Sequence, residues 1–138
     1  MIANRPCPKI RLGLRAALSA LYLLAGAMHI LRPHGFEQIV PDWVPFPHET
    51  VVLTGMAELL GAIGLWITPL QRWAGIGLAA YAVAVYPANI KHAFEHVAIS
   101  GVELGWGYHV PRLMFQPLLV WAALFAGEVI DWPWRERK

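Results

Sequence analysis

The stretch Leu12–Leu31, LGLRAALSALYLLAGAMHIL, decides how the chain folds. It holds one charge, Arg15, and its histidine, His29, comes two residues before the end. As a helix, a run of about 20 residues rising ~1.5 Å each is long enough to cross the hydrocarbon of a bilayer. Three further apolar stretches follow at Val51–Leu70, Trp73–Ile90 and Leu113–Ile130. Together they leave little of the 138 residues beyond tails and connections. The expectation is an all-α fold: one integral membrane four-helix bundle over residues 1–138, lodged in the lipid bilayer and with no room for a soluble domain.

Composition agrees. The chain is 57% hydrophobic and 14% charged, against about 25% charged in ordinary soluble domains. A net charge of +2 with no basic run interleaved with aromatics speaks against nucleic acid as a partner. The lone Cys7 excludes an internal disulfide or a paired-thiol redox motif. Arg5, Lys9, Arg11 and Arg15 ahead of an apolar run, with Ala25-Gly26-Ala27 near its end, imitate a secretory signal. The run continues through Ile30 and Leu31, however, and cleavage would discard the helix that carries His29. An uncleaved first span is therefore expected.

Lys and Arg set the orientation of membrane helices. Arg5, Lys9, Arg11, Arg15, Arg72, Arg135, Arg137 and Lys138 fall on one side, against Arg32, Lys91 and Arg112 on the other. Both termini are accordingly expected in the cytoplasm, with Trp66, Trp73, Trp132 and Trp134 as anchors at the inner boundary. All six histidines (His29, His34, His48, His92, His96 and His109) then collect toward the outer end. The first connection, Arg32–Thr50, is not a plain loop. Phe36, Ile39, Val40, Trp43 and Val44 recur at near-helical spacing, while Pro41, Pro45 and Pro47 forbid a long helix. It reads as a short amphipathic segment followed by a Pro-rich strap, either a connector or a lid over the outer end.

Polar groups inside apolar spans mark sites, because an ionised side chain there costs at least ~2.5–3.5 kcal/mol. His29, Glu58, Asn89, Arg112 and Gln116 occupy the outer halves or ends of four different spans. Glu58 lies about 12 Å past Thr50 at helical rise. It must be neutral or paired, and Arg112 is its expected partner, with His29 as the second choice. Tyr22, Ala25 and Gly26 share the His29 face and allow close approach there. Pro87 and Pro117 cannot donate to the carbonyls of Val83 and Leu113, so two free acceptors should border a cavity between the third and fourth spans. A plain structural clamp among these polar groups is the alternative. His92-Ala93-Phe94-Glu95-His96 matches an inverted zinc-protease pattern, yet there is neither a third ligand nor a domain to supply one. No metal site is assigned, and a solvated helix end is expected there. Haem is poorly served, since only His29 stands inside a span.

Ala25-Gly26-Ala27-Met28-His29, Gly35 through Pro45, Gly55-Met56-Ala57-Glu58-Leu59-Leu60-Gly61, Tyr86-Pro87-Ala88-Asn89-Ile90 and Arg112 through Gln116 occur in that order. Taken together, over about residues 12–125, they resemble the DoxX-like family of small four-helix membrane proteins. His29, Pro41, Glu58, Pro87, Asn89, Arg112 and Gln116 stand at that family's pattern positions. Met114, where a proline would be expected, and Lys91-His92 depart from it. The resemblance implies a bacterial cytoplasmic (inner) membrane protein whose namesakes include a subunit of a thiosulfate:quinone oxidoreductase. The resulting expectation is a quinone-associated redox subunit in which Glu58, Arg112 and His29 act on the quinone head or its protons. Asn89, Gln116 and Tyr22 would bind or orient it. No haem, flavin, iron–sulfur or thiol motif is present, so electrons would come from a redox partner subunit. The alternative is a non-catalytic factor that binds lipid or assembles a partner complex. A small transporter is disfavoured, because the chain has no internal repeat.

Overall fold

Prolines divide the chain into helices. In the computed structural model, which describes residues 8–134, the helices are α1 (Pro8–Leu31), α2 (His34–Glu37), α3 (Pro47–Gly64), α4 (Thr68–Ala84), α5 (Tyr86–Phe94) and α6 (Trp106–Ala126). Arg5, Cys7, Arg135, Arg137 and Lys138 lie outside the described residues. α3, α4 and α5 each carry proline in the first turn, where its missing N–H would have had no helical partner. The fold is all-helical. Among the described residues two helical stretches, Pro8–Leu31 and Thr68–Phe94, are long and apolar enough to cross a membrane.

Three expected boundaries are corrected. The second stretch stops at Gly64 instead of continuing to Leu70. Trp66 and Ile67 donate back to the carbonyls of Ile63 and Gly64 in a tight turn, and Pro69 then opens α4. The third stretch starts at Thr68, earlier than Trp73, and is interrupted at Val85 just ahead of Pro87. The residue before a proline disfavours helical geometry, which puts the interruption near Tyr86. The fourth stretch runs from Trp106 to Ala126 rather than from Leu113 to Ile130. It ends where Glu128 turns to a φ of 60° and the amides of Val129 and Ile130 fold back on the Leu124 carbonyl.

The four long helices close in a ring: α1 packs on α3, α3 on α4, α4 on α6 and α6 on α1. Much of what they bury is small, although Phe125 and Tyr22 are buried as well. Ala62, Ala79, Ala122, Ala123 and Ala126 cluster with Leu18, Leu65 and Leu78. Two glycine pairs bring backbones together. A Cβ on Gly26 would stand 2.7 Å from the Gly55 carbonyl oxygen, and one on Gly75 would stand 2.7 Å from Gly127 Cα. Outside, Leu24, Leu31, Leu53, Leu60, Val83 and Met114 are all exposed, Met114 at 73%. Small side chains inside and large apolar ones outside invert the usual soluble arrangement.

At the end where the N-terminus of α1 meets the C-terminus of α6, arginines cap the last carbonyls of α6. Buried Arg11 donates to the Phe125 carbonyl and pairs with Asp131 at 2.7 Å, its guanidinium lying over the Phe125 ring. Arg15 donates to the Ala126 carbonyl (3.1 Å) and reaches Glu128 at 3.4 Å. In the sequence these arginines counted only toward orientation and the signal-like pattern. The structure adds that they tie α6 to α1.

The two glycines of α4 should behave oppositely. Gly75→Ala drives a methyl into the Gly127 backbone and is expected to lower unfolding stability by about 1–3 kcal/mol, as overpacking does. Nothing lies within 4 Å of a Cβ on Gly77, so Gly77→Ala should be neutral or stabilising, by up to ~1 kcal/mol. Denaturation in detergent measures both. Equal losses would contradict the packing described.

Candidate functional site

One cavity of about 970 Å³ gathers all six residues singled out from the sequence: Tyr22, His29, Glu58, Asn89, Arg112 and Gln116. Its walls are otherwise largely apolar. Leu21 and Met28 of α1 and Phe115 and Leu118 of α6 line it while also being exposed, so its mouth lies between α1 and α6, on the apolar outer surface.

Glu58 is the deepest of the charged groups, its side chain only 4% exposed. The one-turn spacing from Gly55 explains why it meets α1. Without a side chain at Gly55, the backbone of α3 sits against Gly26 and the Cβ of His29. His29 Nδ1 consequently lies 2.9 Å from Glu58 Oε2. The angle is poor for a hydrogen bond, since neither atom has a partner of good geometry among the described residues, so the two groups meet as a close polar contact. The other carboxylate oxygen is better served. Tyr81 Oη donates to Glu58 Oε1 at 2.8 Å. Tyr22 meets the Tyr81 ring edge-on, with centroids 6.0 Å apart. Its own hydroxyl is buried without a hydrogen-bond partner among the described residues.

The expected Glu58–Arg112 pair does not form; the second choice, His29, takes the acid. Arg112 instead approaches His92, with Nη1 2.7 Å from the ring Nδ1. A guanidinium can only donate, so His92 accepts at Nδ1 and is the neutral tautomer protonated on Nε2. His92 is fully buried and meets His109 edge-on at 4.7 Å. This corrects a further expectation. α5 ends at Phe94 and His96 turns to a φ of 50°, so His92 and His96 share no helix face. His92 is a core residue rather than part of a solvated helix end.

Asn89 and Gln116 lie between these two poles. Asn89 Nδ2 donates to Gln116 Oε1 at 3.1 Å, and Gln116 Nε2 donates to the Ala82 carbonyl in the last turn of α4. The side chain that satisfies the break in this helix thus reaches Ala82, not Val83 as Pro87 implied. The Leu113 carbonyl, which Pro117 leaves without a helical donor, is reached by Tyr86 Oη at 3.5 Å.

The first connection is a lid. Phe36, Ile39, Val40, Pro41, Trp43 and Val44 all line the cavity. Phe36 stacks edge-on against His29 at 4.4 Å. Lys91 Nζ holds the strap from below, donating to the Val40 carbonyl (2.9 Å) and to Asp42 (2.6 Å). Sequence reasoning missed Tyr81; it named Phe36 only as part of the first connection and Lys91 only as an outer-side charge, without their contacts. A hydroxyl inside an apolar span was the available signal for Tyr81. The Lys91 contacts join segments too distant in sequence for spacing to reveal, and the Phe36–His29 contact depends on how the chain turns after α1.

The chain matches a domain family of unknown function, DUF8561, over residues 18–126, and it belongs to that family. The matched region runs from the middle of α1 to the end of α6 and so contains all six polar residues singled out from the sequence. No curated protein matches the chain, and no solved structure does.

Tyr81→Phe removes the one donor to Glu58 Oε1 at nearly constant shape. It should cost about 0.6–1.7 kcal/mol, the range for interhelical bonds in lipid. In a double-mutant cycle with Glu58→Gln, the two losses should fail to add. Additive losses would show that the pair does not interact.

Proposed function

We propose that this protein is a DoxX-like multi-pass component of the bacterial cytoplasmic membrane, a four-helix membrane bundle with both termini in the cytoplasm, that binds the head of a lipid-soluble quinone. Support for the membrane setting comes from the inverted packing. Large apolar side chains cover the outside, whereas soluble monomers rarely expose contiguous apolar patches beyond a few hundred Å². Small residues at the helix contacts are what lipid favours, because hydrocarbon supplies little drive for helices to associate.

One observation carries the ligand reading: Tyr22 lines the cavity, and its hydroxyl is buried without a hydrogen-bond partner among the described residues. Such a group costs about 1–3 kcal/mol, which a ligand oxygen would recover. Arg112 lines the same cavity and supplies further donors. A quinone ring carries carbonyl oxygens on opposite sides, and Tyr22 and Arg112 are the donors suited to them. The volume is within the ~300–1,000 Å³ of small-molecule pockets, and the mouth between α1 and α6 suits a ligand that arrives through lipid.

Reducing a quinone takes two electrons and two protons. The His29–Glu58 pair is positioned to pass protons at the ring. The electrons belong to a redox partner subunit. This makes the protein the membrane subunit of a quinone-linked oxidoreductase, with Asn89 and Gln116 orienting the head.

Protein extracted gently into native-lipid discs should carry quinone, identified by absorbance and mass. Arg112→Gln should weaken binding of a short-chain quinone about tenfold or more, from the loss of a charge-assisted bond of ~1.5–3 kcal/mol. Tyr22→Phe should weaken it about two- to tenfold. Wild-type protein that retains only phospholipid and ignores the short-chain quinone would overturn the reading and leave the lipid-binding factor in its place.

A further inference from the structure

The lid carries a second cluster that the quinone reading does not use. His34 opens α2 and Glu37 closes it one turn later, so both project from the same face. His48 comes from the first turn of α3, across the Pro-rich strap. Glu37 Oε1 lies 3.0 Å from His34 Nδ1 and 2.7 Å from His48 Nδ1. All three potential ligand atoms fall within 4.8 Å of one another.

We propose that His34, Glu37 and His48 form a binding site for a divalent transition-metal ion of the zinc type, at the aqueous face of the lid. Two imidazole nitrogens and one carboxylate oxygen are the donor set of zinc and its neighbours, not of magnesium or calcium, which prefer all-oxygen shells. The geometry needs little change. Ligand atoms ~2.0–2.1 Å from a tetrahedral zinc stand about 3.4 Å apart, slightly wider than the two contacts Glu37 makes here. The three side chains leave at least one coordination position to water, and they remain accessible: His34 and His48 are exposed and Glu37 is half-buried.

The ion would do what the present hydrogen bonds do weakly, fastening α2 to the start of α3. Phe36 precedes Glu37 and stacks on His29, so the ion would also fix the lid against the cavity. Binding at this site does not depend on the identity of the cavity's ligand.

The test uses the full chain in lipid discs, freed of any polyhistidine tag and stripped of metal. Titration with Zn²⁺ by calorimetry, and with Co²⁺ by visible absorption, should show one ion bound per chain with a nitrogen–oxygen ligand spectrum. His34→Ala, His48→Ala and Glu37→Gln should each weaken binding by about 100-fold or more, at or beyond what losing an outer-shell partner costs. His96→Ala, another exposed histidine, should leave it unchanged. Melting curves check that each variant is folded, and the three side chains lie outside the packed interior. The proposal is overturned if the wild type takes up neither ion, if His48→Ala binds as tightly as wild type, or if His96→Ala abolishes uptake.

Discussion

A carboxylate buried among apolar helices must find a counter-group, and the arrangement around Glu58 follows from that requirement. The acid is one turn past Gly55, where the α3 backbone comes closest to α1. That approach brings His29 to one carboxylate oxygen, while Tyr81 from α4 reaches the other. Three helices are thus fixed around a single side chain. The fourth, α6, is held separately, by Gln116 to α4 at the break and by Arg11 and Arg15 at the opposite end. The cavity is the space left where these two sets of contacts do not meet.

The division explains why Arg112 still lines the cavity. Had Arg112 neutralised Glu58, the two charges would have closed the space between α3 and α6. Instead each is held locally, Glu58 by His29 and Arg112 by His92, leaving a pocket with an acidic pole, a basic pole and an amide pair between them. The unpartnered Tyr22 hydroxyl stands on the wall nearest the acid.

Much of this was legible in the sequence because polar groups and prolines within long apolar runs carry strong physical penalties. The existence of the long helices, the break near Pro87, the free Leu113 carbonyl and the six cavity residues all followed from such penalties. Boundaries were less legible. Gly64 and Pro69 turn the chain inside an apolar run, so hydropathy could not locate the end of α3. Pairing was least legible. Which base reaches Glu58 depends on the Gly26–Gly55 approach, a three-dimensional fact, and the longer reach of arginine misdirected the expectation. The His92–His96 spacing misled for a similar reason: i, i+4 neighbours meet only if the helix continues, and α5 stops at Phe94.

Infrared difference spectroscopy on protein in lipid discs tests the central claim most directly, recording spectra with and without a short-chain quinone. The expected result is a carboxyl or carboxylate band that shifts on ligand addition and disappears in Glu58→Gln, together with an imidazole band lost in His29→Ala. A ligand-bound spectrum in which no carboxyl band moves, or one whose shift persists in Glu58→Gln, would contradict the account.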